Sequence, residues 1–321
     1  MEGLSVALCT YNGAAYLGQQ LASIAAQDLR PDELVVCDDA STDRSARIVR
    51  DFAAGAPFPV RLEVNSRNLG SRANFEQAIR LCRGRVIALA DQDDVWLPHK
   101  LRRLSDALRS APRAGFAFSD AILVDRDRRS LGCRLWQIVH FHRGQQHRWA
   151  GGRAAEILLQ HNVVTGATLA FRADYRDLIL PVPDGWVHDG WIALLISAVA
   201  ESVPVAEALV EYRQHDAQQI GQPRGSLYRQ YLRGCRRNGD DFQQIAANYL
   251  AARDRLAAFA DRLRSPEILR ALERKAEHLR AKARMRSRRA TRLPLVLSEF
   301  VRGHYARYSS GWRSLAQDLF C

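Results

Sequence analysis

The sequence predicts an α/β fold, with a mostly parallel, Rossmann-like sheet flanked by helices and a helical C-terminal region after it. Two observations carry this prediction. In the first half, short apolar runs alternate with amphipathic helical stretches, which is the pattern of repeated strand–helix–strand units. After Pro223 the apolar residues recur only at helical spacing. We therefore divide the chain near residue 223 into an α/β domain, 1–223, and a helical region, 224–321.

Each predicted strand is a short apolar run, and each predicted helix has apolar residues three or four positions apart. Ser41-Thr42-Asp43 and Pro98 predict helix starts, because these residue types suit the first turn. Residues 126–152, rich in Arg, His and Gly, are predicted to be a variable loop region. The predicted strands are 4–9, 34–37, 60–64, 86–90, 163–171 and 209–213; a helix follows each of the first four, and another spans about 189–200.

The helical region begins with an apolar stripe that runs from Phe242 through Ile245 and Tyr249 towards Leu263. Ser265-Pro266-Glu267 then predicts a new helix, with proline in the first turn.

The positive charge of the chain is concentrated in this helical region. The net charge is +12, and 22 Lys and Arg against 9 Asp and Glu lie from Arg224 onward. Such a surplus indicates an anionic partner. Nucleic acid is disfavoured because no binding motif and no exposed basic–aromatic pattern is found. An anionic membrane surface fits better, since the dense charge of 284–292 is followed by Leu293, Leu295, Val296, Leu297, Phe300 and Val301. A solvated helical bundle or a homo-oligomer contact is the alternative.

The remaining sequence features favour a cytoplasmic protein, peripheral at the inner face of the cell membrane. No apolar run approaches the roughly 20 residues that span a bilayer. The N-terminus shows neither a basic segment nor a small-residue cleavage site. The six cysteines are widely spaced and form no CxxC pair, which argues against a zinc knuckle or a disulfide framework and suits a reducing compartment.

Three polar clusters follow predicted strands, where ligands bind in sheets of this kind. They are Thr10-Tyr11-Asn12, Asp38-Asp39 and Asp91-Gln92-Asp93-Asp94. In an extended chain Asp91 and Asp93 point to the same side. Two carboxylates on one side suit Mg²⁺ or Mn²⁺, which prefer oxygen ligands and bridge phosphates. For Asp38 or Asp39 alone, a helix cap is the alternative.

Four motifs of the first half, in this order and spacing, resemble the family 2 glycosyltransferases of the GT-A fold. They are Cys9-Thr10-Tyr11-Asn12, Asp38-Asp39-Ala40-Ser41-Thr42-Asp43, Asn65-Ser66-Arg67-Asn68-Leu69-Gly70 with Asn74-Phe75, and Asp91-Gln92-Asp93-Asp94-Val95-Trp96, which resembles the DxD signature of the family.

The resemblance continues into the second half of the chain. Residues 164–168 resemble the acceptor-side strand, and His188-Asp189-Gly190-Trp191 resembles the motif whose acid is the catalytic base. Tyr212-Arg213-Gln214-His215, followed by Ile220-Gly221, resembles the donor-closing segment of a rhamnosyltransferase-like branch, as residues 301–309 resemble its tail. That branch usually has asparagines where Gln218 and Gln219 stand.

The resemblance implies an inverting glycosyltransferase that uses a divalent metal, Mn²⁺ or Mg²⁺. It divides the catalytic domain into a nucleotide-sugar half, about 1–120, and an acceptor half, about 121–223.

Asp39 would accept the N3–H of uracil or thymine, and Asp189 would take the acceptor proton; a helix N-cap is the alternative for Asp189. The other implied residues are Thr10, Tyr11, Asn12, Asp38, Arg67, Asn68, Gly70, Asn74, Asp91 and Gln92 for the nucleotide sugar, Asp91, Asp93 and His215 for the metal, and Thr165, Gly166, Trp186, His188 and Trp191 on the acceptor side. A solvated loop arginine is the alternative for Arg67, and an ordinary strand-end histidine for His215.

The donor implied by the branch is dTDP-rhamnose, and the acceptor is a saccharide or lipid-linked saccharide of bacterial surface polysaccharide or O-antigen synthesis. Transfer from a UDP-hexose is the alternative within the fold. A sugar-1-phosphate nucleotidyltransferase would need a Gly-rich loop after the first strand, which Thr10-Tyr11-Asn12-Gly13 is not. A non-catalytic nucleotide-sugar-binding relative is the alternative from another class. The chain has neither a Walker loop nor a dinucleotide glycine fingerprint, which disfavours ATP- or NAD-driven chemistry.

Overall fold

A computed structural model describes residues 3–215, 237–287 and 292–321. The segment at Gln218 to Gly221, the boundary near residue 223 and part of the basic run 284–292 lie outside the described residues. The described strands are β1 Leu4–Thr10, β2 Glu33–Asp38, β3 Val60–Val64, β4 Val86–Asp91, β5 Val95–Trp96, β6 Ala114–Val124, β7 Ser130–Arg134, β8 Leu169–Arg172 and β9 Glu201–Arg213.

The helices of the same residues alternate with these strands and then follow them. They are α1 Leu17–Ala25, α2 Ser45–Ala53, α3 Ser71–Leu81, α4 Lys100–Ser110, α5 Leu135–Ile138, α6 Arg143–Ala150, α7 Ala154–Gln160, α8 Arg176–Ile179, α9 His188–Val199, α10 Gly239–Ala257, α11 Glu267–Ser287, α12 Arg292–Val301, α13 His304–Tyr308 and α14 Trp312–Phe320. None of these described helices is both long and apolar enough to cross a bilayer.

The described strands form one sheet in the order β3-β2-β1-β4-β8-β6-β9-β5, with β7 paired to β6. Strands β3, β2, β1 and β4 are mutually parallel, as are β6 and β9. Strand β8 runs antiparallel to both β4 and β6 and joins the two parallel groups. The carboxyl ends of β1, β2 and β4 therefore meet at one edge of the sheet, and this edge carries the polar clusters found in the sequence.

The core lies between the sheet and its helices. Strand β1 is buried at every residue, and β4 at every residue before Asp91, which explains their uninterrupted apolar runs. Helix α9 is buried along almost its whole length, so its residues show no polar face. The α/β fold and the helical C-terminal region predicted from the sequence are both present.

The prediction of a loop over 126–152 is wrong. This segment contains β7, α5 and α6, and the long strand β6 before it was not predicted. The elements are held by a cluster of rings from Phe118, Trp136, Phe141 and Trp149, whose centroids lie 4.9–5.7 Å apart. Elements this short span too few residues to show a period, so their stability comes from packing between distant rings.

Three predicted boundaries also differ from the structure. Helix α2 begins at Ser45, after the predicted start at Ser41-Thr42-Asp43. Asp43 lies before the helix, and its Oδ1 accepts a hydrogen bond from the Ser45 N–H. Most of the predicted strand 163–171 is not paired; a short 3₁₀ helix, Gly166–Thr168, precedes β8. The apolar stripe of α10 stops at Ala257, before Leu263.

The C-terminal helices pack onto the α/β part and share its core. Ala252, Leu256, Ile268 and Leu272 belong to the same buried cluster as the strands. Arg255 of α10 donates hydrogen bonds to the carbonyls of residues 177, 178 and 180. Cys9, Cys37, Cys82 and Cys133 are free.

Candidate active site

A cleft of about 430 Å³ opens at the carboxyl ends of β1, β2 and β4 and at the N-terminus of α9. Helix α10 closes one side of it. The predicted site residues that line this cleft are Thr10, Tyr11, Asp39, Asn74, Asp91, Gln92, Asp93, Thr165, Gly166, Trp186, His188 and Asp189. Asn12, Asp38, Arg67, Asn68, Gly70, Trp191 and His215 are not among the lining residues.

Gln92 ties the loop after β4 to the loop after β1. Its Oε1 accepts hydrogen bonds from Thr10 Oγ1 at 2.6 Å and from the Tyr11 N–H at 2.8 Å, and its Nε2 donates to the Tyr11 carbonyl at 3.1 Å. The Tyr11 side chain is exposed at the cleft. Thr10 and Tyr11 are therefore fixed in the mouth of the cleft by a side chain from the neighbouring strand.

Asp39 is a buried carboxylate at the cleft wall. Its Oδ1 accepts from Asn65 Nδ2 at 2.9 Å and from the Leu69 N–H at 2.7 Å, and its Oδ2 accepts from the Gly70 N–H at 2.8 Å. A carboxylate offers about four lone-pair sites. Three are occupied by the protein, so one site on Oδ2 remains for a donor in the cleft.

Asp38 and Asn12 support the loops beside the cleft. Asp38 Oδ1 accepts from the Ser41 N–H at 2.8 Å, which stabilises the turn before α2 and does not cap the helix. Asn12 has a positive φ of 48°, and its Oδ1 accepts from the Thr42 N–H at 2.9 Å. Neither side chain is among those that line the cleft, and that Asn12 and Asp38 bind nucleotide stays a prediction.

The segment between β3 and α3 holds Asp39 from behind. Asn68 Nδ2 donates to the Asp39 carbonyl at 3.4 Å, and Gly70, with a φ of 82°, supplies the N–H that reaches Asp39. Asn74 is buried and lines the cleft, and its Oδ1 accepts from Asn65 Nδ2 at 2.9 Å. Arg67 is exposed outside the cleft. In the structure Asn68 and Gly70 support Asp39, and Arg67 is an exposed loop residue; direct nucleotide contact by these three residues stays a prediction.

Asp91 and Asp93 lie together at the base of the cleft. Burial, followed by repulsion from Asp93 and Asp189, raises the pKa of Asp91 to about 7, and Lys100 opposes the shift. Three carboxylates thus share one low-dielectric region without an equal number of positive charges. Such a set is stabilised by a cation in the cleft.

Behind this pair, Asp94 and Lys100 are both fully buried. Asp94 Oδ1 accepts from the Arg213 N–H at 2.9 Å, and Lys100 Nζ donates to the Ala167 carbonyl at 2.6 Å. Burial raises the pKa of Asp94 and lowers the pKa of Lys100, while their mutual attraction opposes the shift of Lys100. These groups fix the loop after β4 against the acceptor-side segment.

The end of β9 adds two further groups. His215 Nε2 lies 2.8 Å from Asp93 Oδ2, so the structure brings together two residues predicted to share a metal. Arg213 is buried, donating from Nε to the Asp93 carbonyl at 2.6 Å and from Nη2 to Gln19 Oε1 at 2.7 Å. The ligand atoms of Asp91, Asp93 and His215 do not all lie within 4.8 Å of one another, and only His215 and Asp93 are in contact. By chemical type, two carboxylates and an imidazole suit Mn²⁺ or Mg²⁺.

Asp189 lies in the first turn of α9, two residues after the N-cap residue Val187. Its Oδ1 accepts from Asn162 Nδ2 at 3.2 Å and from the Gly190 N–H, and its Oδ2 accepts from the Gly166 N–H at 3.0 Å. Burial raises the pKa of Asp189 to about 6, and these three donors oppose the rise. The N-cap alternative is wrong, because the cap position belongs to Val187.

His188 lies beneath Asp189 and faces Gly166. It is buried, its ring stacks on Phe75 at a centroid distance of 3.9 Å, and burial lowers its pKa to about 3. A Cβ at Gly166 would approach His188 Nε2 to 2.8 Å. A glycine is therefore required at position 166 for the loop to approach α9 this closely.

The two tryptophans beside Asp189 have different positions. Trp186 lines the cleft and donates from Nε1 to the Asn248 carbonyl at 2.9 Å. Trp191 is fully buried, and its Nε1 donates to the Ile179 carbonyl at 2.7 Å. Trp191 lies two residues after Asp189, about 200° round α9, so its ring packs in the core and not in the lining of the cleft.

Several cleft residues were not predicted as part of the site. Asn162 holds Asp189, and Ile245, Asn248 and Tyr249 of α10 line the cleft. The signal for Tyr249 was present as a hydroxyl-bearing residue in an otherwise apolar stripe, but a stripe alone does not show which face lies over a cleft. Asn162 carried no signal, since its role depends on Asp189, 27 residues away.

An α/β sheet with clustered carboxylates at the ends of its parallel strands and a cleft beside them is the arrangement of the GT-A glycosyltransferases. Residues 5–174 match the family model described as "Glycosyl transferase family 2". The match covers more than half of the chain, which therefore belongs to this family.

Individual relatives agree with this membership. An uncharacterized glycosyltransferase of Nostoc sp. is 27% identical over 225 residues, which are 67% of this chain and 65% of the relative. A glucosyltransferase of Escherichia coli, whose name gives UDP-Glc and α-D-GlcNAc-diphosphoundecaprenol as its substrates, is 30% identical over 98 residues, 30% of this chain and 38% of the relative. The chain covers less than two thirds of the length of these curated relatives.

Among solved structures, a mannosyltransferase from Pyrobaculum calidifontis in complex with GDP-Man and Mn²⁺ has the same fold. The TM-score is 0.53 at 18% identity, and the match covers 99% of this chain and 85% of that chain.

Proposed function

We propose that this chain is an inverting, metal-dependent glycosyltransferase that moves a sugar from a nucleoside diphosphate to an acceptor hydroxyl. The observation that carries the proposal is the carboxylate of Asp189, held by three hydrogen bonds at the N-terminus of α9, in the same cleft as Asp91 and Asp93. One base is what a single displacement requires, because no covalent sugar intermediate has to form or break.

In this mechanism Asp189 removes the proton from the acceptor hydroxyl. The acceptor oxygen forms a bond to the anomeric carbon as the bond to the diphosphate oxygen breaks on the opposite face, which inverts the configuration. The N–H groups of Gly166 and Gly190 and the Asn162 amide orient the carboxylate. They leave one lone-pair site for the incoming proton. The pKa of about 6 leaves Asp189 mostly ionised at neutral pH and still basic enough to accept a proton.

Asp91, Asp93 and His215 would hold the divalent metal, which supplies Lewis-acid stabilisation of the departing diphosphate when bound. His215 already contacts Asp93, so a small change of its ring would let both face a cation. Arg213 fixes the Asp93 backbone from behind and maintains the position of the carboxylates.

The donor in this proposal carries uracil or thymine, with rhamnose from dTDP-rhamnose as the specific sugar. The free lone-pair site on Asp39 Oδ2 accepts N3–H, which cytosine lacks. Thr10 and Tyr11 lie at the same end of the cleft and suit the base. Rhamnose is proposed from the resemblance of residues 212–221 and 301–309 to the rhamnosyltransferase-like branch. A UDP-hexose is the second candidate, since the Escherichia coli relative is named for UDP-Glc.

The acceptor in this proposal is a saccharide carried on a lipid, in the synthesis of a bacterial surface polysaccharide. Trp186 and Tyr249 stand in edge-to-face contact at 5.3 Å beside Asp189 and form an aromatic wall of the cleft. Aromatic faces suit the apolar faces of sugar rings, and the amide of Asn248 beside them offers hydrogen bonds to hydroxyls. The lipid carrier places the enzyme peripherally at the inner face of the cell membrane.

The testing experiment measures binding of dTDP, UDP, GDP and their sugar conjugates, with and without Mn²⁺ or Mg²⁺. The variants are Asp93→Ala and the control Asp51→Ala, an exposed carboxylate on α2. We expect dTDP or UDP to bind only with metal, Asp93→Ala to lose this binding and Asp51→Ala to keep it. The tightest conjugate then identifies the sugar, and NMR of the product shows the anomeric configuration.

Two results would contradict the proposal. If no nucleotide binds to a folded protein, the chain is a relative of the GT-A enzymes without donor chemistry. If a conjugate binds but no transfer occurs to any saccharide acceptor, the chain is the non-catalytic nucleotide-sugar-binding protein that remains as the alternative. Thermal unfolding of each variant separates loss of binding from loss of fold.

A further inference from the structure

The strongest surface feature away from the cleft is an apolar face formed by α12 and α14. Among the described residues, ten large hydrophobic side chains are exposed, and six of them lie in this short C-terminal segment. Three of the six are largely in solvent, with Val301 at 83%, Phe320 at 79% and Trp312 at 74% exposure. We call this surface the outer face; its residues are Leu293, Leu297, Phe300, Val301, Trp312 and Phe320.

Five of these side chains, all except Phe320, are connected by helical spacing or by ring contact. Leu293, Leu297, Phe300 and Val301 follow helical spacing and lie on one side of α12. The ring of Phe300 lies 5.6 Å from that of Trp312, which joins α12 to α14. Contiguous exposed apolar surface of this kind marks an interaction site in a folded protein.

The opposite sides of the same helices are anchored in the protein. Val296 of α12 and Leu315 of α14 belong to a buried cluster with Tyr305 and Met285. The outer face therefore belongs to packed helices whose inner sides are already covered, and its apolar residues are additional to the core.

The charge around the outer face has one sign. In residues 292–321 the only acids are Glu299 and Asp318, and both are buried. Glu299 Oε2 accepts from His278 Nδ1 at 2.6 Å and from His304 Nδ1 at 2.8 Å, and Asp318 pairs with Lys282. Arg302 and Arg307 are exposed. Arg302 Nη1 also lies 4.0 Å from Glu299 Oε1. The two acids of this segment are thus buried, while its exposed arginines stand beside the apolar surface.

From this arrangement we propose that the outer face docks on the surface of an anionic lipid bilayer. Exposed leucine, valine, phenylalanine and tryptophan enter the interfacial region, and neighbouring arginines pair with anionic headgroups. A second copy of the chain suits the face less well, because symmetric contact would oppose arginines to arginines without an exposed acid between them. The proposal does not depend on glycosyl transfer, although it would bring the cleft to a lipid-linked acceptor.

The test is flotation of the full chain with vesicles of phosphatidylcholine alone or mixed with phosphatidylglycerol, at low and high salt. We expect binding to the anionic vesicles, weakened by salt because exposed charges are screened. Val301→Glu with Trp312→Glu should weaken binding about tenfold or more, since two apolar contacts are lost and negative charge is added. Arg302→Ala with Arg307→Ala should weaken vesicle binding about fivefold for each arginine, which corresponds to about 1 kcal/mol of binding free energy per arginine.

Matched controls come from exposed residues of the α/β part. Val64→Glu, on β3, controls for an apolar-to-charged change, and Arg47→Ala with Arg113→Ala controls for loss of charge. We expect all controls to float like the wild type, and all variants to keep their unfolding temperature because the changed side chains are exposed.

The proposal is overturned if the wild type shows no preference for anionic vesicles, or if the outer-face variants float like the controls. A further result also overturns it. In that result light scattering shows a dimer for the wild type and a monomer for Val301→Glu with Trp312→Glu, and the wild type does not bind vesicles. Nucleotide binding is measured on the same variants; it reports on the cleft alone, so failure of docking and failure of the donor site are distinguishable.

Discussion

At the scale of single residues, the cleft is organised by carboxylates that differ in how many protein donors they receive. Asp39 and Asp189 each accept three hydrogen bonds and keep one free lone-pair site. Asp93 carries one imidazole contact. The first pair is thereby held in fixed orientations, whereas Asp93 keeps sites free for a cation.

We expect Asp189→Asn to reduce kcat about 10²–10⁴-fold, the range for loss of a general base, while nucleotide binding stays near the wild-type value. The amide can still occupy the same volume but cannot take the proton. Initial-rate measurements with saturating donor check this. The control is Asp51→Asn; a variant Asp189→Asn with full kcat would show that the base is another group.

The pH dependence of kcat follows from the same residue. Below about pH 6 Asp189 is protonated and cannot act as base, so kcat should rise with pH through about 6 and level off above it. A rate profile from pH 4.5 to 8.5 on protein shown to remain folded checks this. The residual kcat of Asp189→Asn should not show this rise with pH. An unchanged rise in that variant would show that a different group titrates.

At the scale of elements, helix α10 belongs to the site although it lies beyond the predicted boundary. Its residues Ile245, Asn248 and Tyr249 face the cleft, and the carbonyl of Asn248 accepts from Trp186. Helical periodicity predicted a stripe on this helix but placed it in a separate region. In the structure the apolar face of α10 packs against α9 and Trp186, so the stripe covers part of the α/β domain.

For this element we expect Tyr249→Ala to raise the acceptor KM about three- to tenfold, the loss of one aromatic contact, with the donor KM unchanged. Leu250→Ala is the control, since Leu250 is a partly buried residue of the same helix that packs away from the cleft. Steady-state kinetics with each substrate varied separately check this. A parallel rise in the donor KM would indicate that α10 acts on the whole cleft and not on the acceptor side.

At the scale of the whole molecule, one buried core runs from the sheet into the C-terminal helices. A chain that ends at residue 223 would expose the side chains that Leu256 and Leu272 cover. We therefore expect such a truncated chain to be insoluble or to unfold at least 10 °C lower, since several buried apolar residues are lost. Expression and calorimetry check this. Two separate transitions in the full chain would contradict a shared core, and the helical region would then be an independent domain.

The sequence by itself determined the parallel half of the fold and the place of the chemistry. Strands β1, β2 and β4 are largely apolar runs that end in the polar residues Thr10, Asp38 and Asp91, and this pattern is a local property of the chain. Asp39, Asp91, Asp93 and Asp189 were predicted on this basis together with the family resemblance, and all four line the cleft.

Tertiary structure alone decided which side chains face that cleft. Trp191 is in the core, Asp38 and Asn12 hold loops, Tyr249 enters from α10, and the segment 126–152 folds around distant rings. Each of these outcomes depends on contacts between residues far apart in the chain. Residue type and spacing indicate that a side chain will be buried or polar, but its neighbours decide whether it meets the core, a loop or the substrate cleft.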